Sequence, residues 1–151
     1  MAETYLQFVP VDPTYRPSLA ALEGARELLA SIATDAQEVT ACNYPGIQFF
    51  DSGQEWDYPS CPACGASTEP WFQDAMERAW DESNGAYRSL LATARCCDAE
   101  VFLNQLHYPG GDRFASFLLE AAQPFANVSP TQQLELEKIL GCKLIKKLVA
   151  R

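Results

Sequence analysis

Cys61 and Cys64, in "SCPACGAS", stand two residues apart, with a proline after the first and a glycine after the second. Such a pair can hold a metal, cycle as a redox dithiol, or bury two inert thiols. A redox dithiol needs a helix N-terminus, where backbone amides and the helix dipole lower the first thiol's pKa. Gly65 follows the pair at once and a helical pattern begins only near Pro70, which disfavours that chemistry. Structural zinc needs four Cys or His ligands in a tetrahedron, delivered from two short knuckles. The adjacent pair Cys96–Cys97 supplies the second knuckle, so the expected ligands are Cys61, Cys64, Cys96 and Cys97. His107, the only histidine, could replace one of them but sits at the far end of a strand. Cys42, in an early strand, and Cys142, after the last helix, read as core thiols. Four thiolates close the coordination shell and leave no position for water, so the zinc is expected to be a structural staple and not a Lewis acid.

These ligands must be positioned by a chain of 151 residues, enough for one domain with a sizeable core. At 48% hydrophobic and 21% charged residues it is neither disordered nor a membrane protein, and it has no apolar run long enough to span a bilayer. "MAETYLQFVPVDP" lacks a basic n-region and an apolar h-region, so no secretory signal is visible and a cytoplasmic location is expected. In a reducing compartment spaced cysteines more often bind metal than form disulfides. The net charge of −9 opposes a general affinity for phosphate backbones and favours a basic partner.

The elements follow from local signals. "TYLQFVP" (4–10) is β-rich and stops at Pro10. Ser18 caps a helix whose Leu19, Leu22, Ala25, Leu28, Leu29 and Ile32 recur at helical spacing. "QEVTACNY" and "IQFFDS" suggest two short strands around a Pro45–Gly46 turn. Thr68, Glu69 and Pro70 open a second helix carrying Trp71, Phe72, Ala75, Met76, Ala79 and Trp80, broken at "SNGAY". "YRSLLATA" and "EVFLNQLHY" form a hairpin-like pair around Cys96 and Cys97. Residues 114–123, helix or strand by pattern, are expected to be a strand ending at Pro124. A helix then opens on Ser129 and Pro130 and closes on Gly141. "CKLIKKLVA" ends the chain as a strand or a short helix. The predicted fold is α+β: a single domain over 1–151 with a mainly antiparallel sheet and two packed helices. Its two halves read as a duplicated β-α-β unit, with a zinc-ribbon segment (59–104) inserted between them.

The pattern "YLQFVPVDP…CPACG…CC…VFLNQLHY…GDRFASFLLEA…LGCKL" covers nearly the whole chain. It resembles a family of small uncharacterised bacterial proteins with an inserted zinc ribbon. The resemblance implies the same four cysteine ligands, and it implies no activity. Members of that family usually carry a small residue, often glycine, after the double cysteine, where this chain has Asp98.

No reacting centre is visible. No G-x-S-x-G elbow surrounds a serine, and "YPGGDRF" is a turn without the lysine of a phosphate-binding loop. Asp51, Glu55 and Asp57 cluster around Trp56 just ahead of the first knuckle, as an acidic loop with an aromatic anchor. The expected function is therefore non-enzymatic: an acidic binding protein, and within that class an immunity protein that neutralises a basic toxin domain, binding through Asp51, Glu55, Trp56 and Asp57. The alternative, a zinc ribbon associated with nucleic-acid machinery, needs a basic stripe, and the chain offers only "KLIKK" (143–147).

Overall fold

The computed structural model describes residues 3–123 and 127–151. The expected strand end at Pro124 lies outside them. The elements are β1 (Thr4–Pro10), α1 (Leu19–Ile32), β2 (Glu38–Phe50), α2 (Phe72–Ala79), β3 (Trp80–Asp81), β4 (Ala86–Tyr87), β5 (Leu91–Thr93), β6 (Glu100–Phe102), β7 (Arg113–Ala122), α3 (Pro130–Leu140) and β8 (Leu144–Ala150). The fold is α+β, with a mainly antiparallel six-stranded sheet in the order β3-β4-β2-β7-β1-β8 and a two-stranded β5–β6 hairpin. The chain divides into two compact units, Met1–Tyr44 with Ala115–Arg151, and Pro45–Phe114. No helix among the described residues is long and apolar enough to cross a membrane.

In the first unit the strand order β2-β7-β1-β8, with α1 and α3 as crossovers, is that of a split β-α-β, ferredoxin-like arrangement. Both helices start where side-chain chemistry starts them. Ser18 accepts from the Ala21 amide at 3.1 Å, and Ser129 and Gln132 form a reciprocal capping box ahead of Pro130. Gly141 ends α3 at φ +79°, a left-handed position that glycine fills without steric cost. Leu22, Ala25 and Leu29 of α1 and Leu136 and Leu140 of α3 share one core with Leu6, Phe8, Phe117 and Leu119. A Cβ on Gly24 would lie 3.3 Å from Ile139 Cγ2, which is how closely the two helices approach. Leu19, placed on the buried face by its spacing, is instead exposed in the first turn. Residues 113–122 form strand β7, pairing Leu6 with Ala121 and Phe8 with Leu119. The final segment is strand β8, antiparallel to β1.

The second unit has its own core of Cys61, Trp71, Phe72, Met76, Leu90, Ala94, Val101, Leu103, Leu106 and Phe114. Two expectations fail here. The two strands expected around Pro45–Gly46 are one continuous strand, β2, running through both residues. Proline's φ suits extended backbone, and Gly46 is needed because a Cβ there would lie 2.8 Å from the Ala86 Cβ of β4. The second helix begins at Phe72 and not at Thr68. Thr68 turns its hydroxyl to the Pro59 carbonyl at 2.7 Å, so it closes the knuckle loop instead of capping a helix. The helix stops at Ala79 because Trp80 and Asp81 pair with Tyr87 and Ala86 across a turn with Gly85 at φ +66°.

Candidate metal centre

The first knuckle is a hairpin tip. Ser60 bridges Ser67; inside that bridge the Cys61 amide donates to the Ala66 carbonyl (2.8 Å) and the Gly65 amide to the Cys61 carbonyl (2.8 Å). The second is the tip of the β5–β6 hairpin. Thr93 pairs with Glu100; inside it the Ala94 amide donates to Ala99 (2.8 Å) and the Asp98 amide to Ala94 (2.7 Å). The two six-residue turns, C-P-A-C-G-A and A-R-C-C-D-A, therefore share one backbone hydrogen-bond pattern. Cys64 and Cys97 occupy the same fourth position. Gly65 and Asp98 occupy the same fifth position, left-handed in both, at φ +78° and +61°. Asp98 takes the backbone conformation that Gly65 takes in the first turn, since aspartate is among the residues that tolerate it. The first position is Cys61 in one turn and Ala94 in the other, both buried, and the missing ligand comes from Cys96 in the third position. Only an alignment of turns, 33 residues apart and ending on the shared Ala66 and Ala99, reveals this repeat.

The two turns bring Cys61, Cys64, Cys96 and Cys97 together with all four Sγ atoms within 4.8 Å of one another, close enough to hold a metal ion. Cys61 Sγ lies 3.9 Å from Cys97 Sγ, and Cys64 Sγ lies 3.4 Å from Cys96 Sγ. A tetrahedral ion with metal–sulfur bonds of about 2.3 Å places its sulfurs roughly 3.8 Å apart, so the donor set fits with little adjustment. All four thiols are free. Cys61 is buried and the other three are exposed.

His107 pairs with Ser60 through the backbone in both directions at 3.0 Å, but its exposed side chain is outside the thiol cluster. Of the two thiols expected in the core, Cys142 packs partly buried against the first unit's core and is pushed up to about 11 by burial and by Glu137. Cys42 is exposed, since successive residues of β2 alternate faces and it falls on the outer one.

Electrostatics within the cluster favour a cation. Burial pushes the Cys61 thiol up, but the Cys64 and Ala63 amides and the Cys96 and Cys97 thiols outweigh it and hold Cys61 at about 7. Burial and the neighbouring thiols push Cys96 up to about 12, and Cys97 is raised despite the Ala99 amide. One thiolate thus forms readily and opposes the next, until a divalent ion reverses the balance. The sign of the pH dependence follows. A depressed thiol contributes stability that is full above its ordinary 9.0 and is lost as pH falls through about 7, and metal binding, which needs thiolates, has the same sign. Titration of the loaded protein against a chromogenic chelator is expected to show metal affinity falling steadily as the pH drops below 7, with proton uptake on release.

The acidic loop lies in the same unit. Ser52 anchors it: its amide and hydroxyl donate to the Asp112 carboxylate at 2.7 and 3.3 Å. Burial raises the pKa of that carboxyl, against the pull of the Ser52 bonds. Gly110 is required beside it, because a Cβ there would lie 2.8 Å from the Glu55 carbonyl. Asp112 and Gly110 belong to a segment whose sequence signals only a turn, so neither this carboxylate nor the close approach was legible. Beyond the anchor, Asp51 is half-buried and Glu55, Trp56 and Asp57 are exposed. Trp56 stacks near Tyr58 (5.9 Å), Phe72 (5.7 Å) and Phe49 (6.0 Å, edge-on). Comparison with known proteins adds no relative to this geometry: no family model, curated protein or solved structure matches the chain.

Proposed function

We propose that this is a non-enzymatic, zinc-stapled binding protein of the reducing cytoplasm that engages a basic partner protein, and within that class an immunity protein that occludes a toxin domain. The observation that carries the reading is Trp56. It is 37% exposed beside Tyr58 at 36%, backed by the fully packed Phe72, with Asp51 in the same groove and Glu55 and Asp57 as its exposed sequence neighbours. Phe49, Asp51, Trp56, Phe72, Met76 and Tyr87 line a groove of about 440 Å³ there. An amphipathic aromatic with low entropy cost, sharing its groove with Asp51 and flanked in sequence by Glu55 and Asp57, is what an anchor for a cationic surface requires. Zinc suits the all-thiolate donor set and the sulfur spacing, and it would hold the two hairpin tips as a closed site. The nucleic-acid reading has less to stand on, since Lys146 of the only lysine cluster is tied to the Val128 carbonyl at 2.9 Å.

The test is co-expression with the basic protein encoded beside this one, scoring rescue from that protein's toxicity, followed by surface plasmon resonance on the pair. Association is expected to slow as salt rises, because steering is screened. Trp56→Ala is expected to cost about 2 kcal/mol or more, roughly thirtyfold in Kd. No rescue, together with turnover of a small molecule by the purified protein, would sink the proposal.

A further inference from the structure

A second cavity in the same unit, of about 530 Å³, is walled by α2 and the β5 edge and is chemically opposite to the acidic loop. Arg78, Arg88 and Arg95 all line it. They are three of only 11 Lys and Arg residues in a chain of net charge −9. The single acidic residue in the lining, Asp74, bridges two of them: it accepts from Arg78 Nε at 2.9 Å and pairs with Arg95 on the other wall. Arg88 donates through Nη2 to the Arg78 carbonyl at 2.9 Å and has no carboxylate partner among the described residues. Three guanidiniums against one carboxylate leave the lining at a net charge of +2.

Trp71 forms part of the wall. It is 3% exposed, and its buried Nε1–H has no protein acceptor. Of the three guanidiniums only Arg88 lacks a carboxylate, and an anion in the cavity would supply its charged partner while sharing the Arg78 and Arg95 forks with Asp74. Ser89 and Thr93 add hydroxyls, while Ala75 and Leu91 supply an apolar side.

We propose that this cavity binds the phosphoryl dianion of a small organic phosphate, with Arg88 and Arg78 as the principal donors and Asp74 positioning the Arg78 and Arg95 forks. A dianion matches the lining charge, the planar guanidinium fork matches phosphoryl oxygens, and the volume leaves room for an organic body against Leu91. The site is independent of the basic-partner reading and shares no residue with the acidic loop.

The probe is inorganic phosphate, titrated calorimetrically into the metal-loaded full chain, with sodium acetate and sodium chloride at matched ionic strength as controls. Phosphate is expected to bind measurably, acetate more weakly and chloride not at all. Arg88→Gln is expected to weaken phosphate roughly tenfold, with Arg88→Lys intermediate because it keeps the charge and loses the fork. Both substitutions are at an exposed side chain, and unchanged metal content checks the fold. Phosphate heats no larger than those of chloride, or Arg88→Gln binding as tightly as the parent, would overturn the proposal.

Discussion

Cys61→Ser is expected to reduce bound metal from about one ion per chain to almost none and to destabilise the protein by about 4 kcal/mol or more, lowering Tm by roughly 8–16 °C for a chain of this size. Two losses coincide at this residue. It is one of four thiols whose sulfurs lie within 4.8 Å, close enough to hold a metal ion, so its removal leaves three thiols that oppose one another's ionisation. It is also 1% exposed in a core with Trp71, Phe72 and Leu103, so the serine hydroxyl would be buried there. Cys64→Ser removes a ligand from an exposed position, where the new hydroxyl meets water. It should release metal equally but cost less stability. Metal analysis with scanning calorimetry on both variants separates coordination from packing, and one full ion per chain in Cys61→Ser would refute the four-thiol site.

Phe72→Ala is expected to cost about 3–5 kcal/mol, the range for deleting a fully packed aromatic ring. Phe72 is the ring that the others share. Its centroid lies 5.7 Å from Trp56, 6.2 Å from Tyr58, 6.4 Å from Phe49 and 6.1 Å from Tyr108, and it is 3% exposed. Truncation leaves a cavity beneath Trp56, whose emission should shift to longer wavelength. Chemical denaturation followed by fluorescence measures both effects. A loss below about 1 kcal/mol would show that the aromatic set is not packed as described. Phe72→Leu should recover part of the stability while leaving Trp56 without its ring partner.

What was legible in the sequence was what local chemistry decides. Ser18 and Ser129 cap helices with their own side chains, Gly141 supplies a left-handed end, and the C-P-A-C-G run turns by itself. Misread features depended on distant residues. Pro45–Gly46 carries a turn signal, yet the approach of Ala86 keeps the strand extended through it. Trp80 fits the helical face of α2 until Tyr87 claims it for a hairpin, which the Asn84–Gly85 turn signal could have suggested. Cys42 looked apolar enough for a core, but which face of β2 it occupies is set by register and not by residue type. Among the arginines, the Asp74–Arg78 pair was visible at helical i,i+4 spacing, whereas Arg88 and Arg95 join it only through the hairpin.

The matching turns separate two jobs that a C-x-x-C motif usually fuses. The scaffold asks only for a left-handed fifth residue and a small buried first one, and with sulfur at position four in both turns it takes the second sulfur at position one in the first turn and at position three in the other. Ligand placement can then be rewritten without redesigning the loop. A pattern search that demands two identical cysteine pairs overlooks half of this cluster, whereas a search for the repeated turn, with sulfur at the fourth slot and at either the first or the third, finds both halves. The same freedom makes the knuckle an engineering socket: one hairpin tip can be re-ligated position by position while the strands beneath it keep their register.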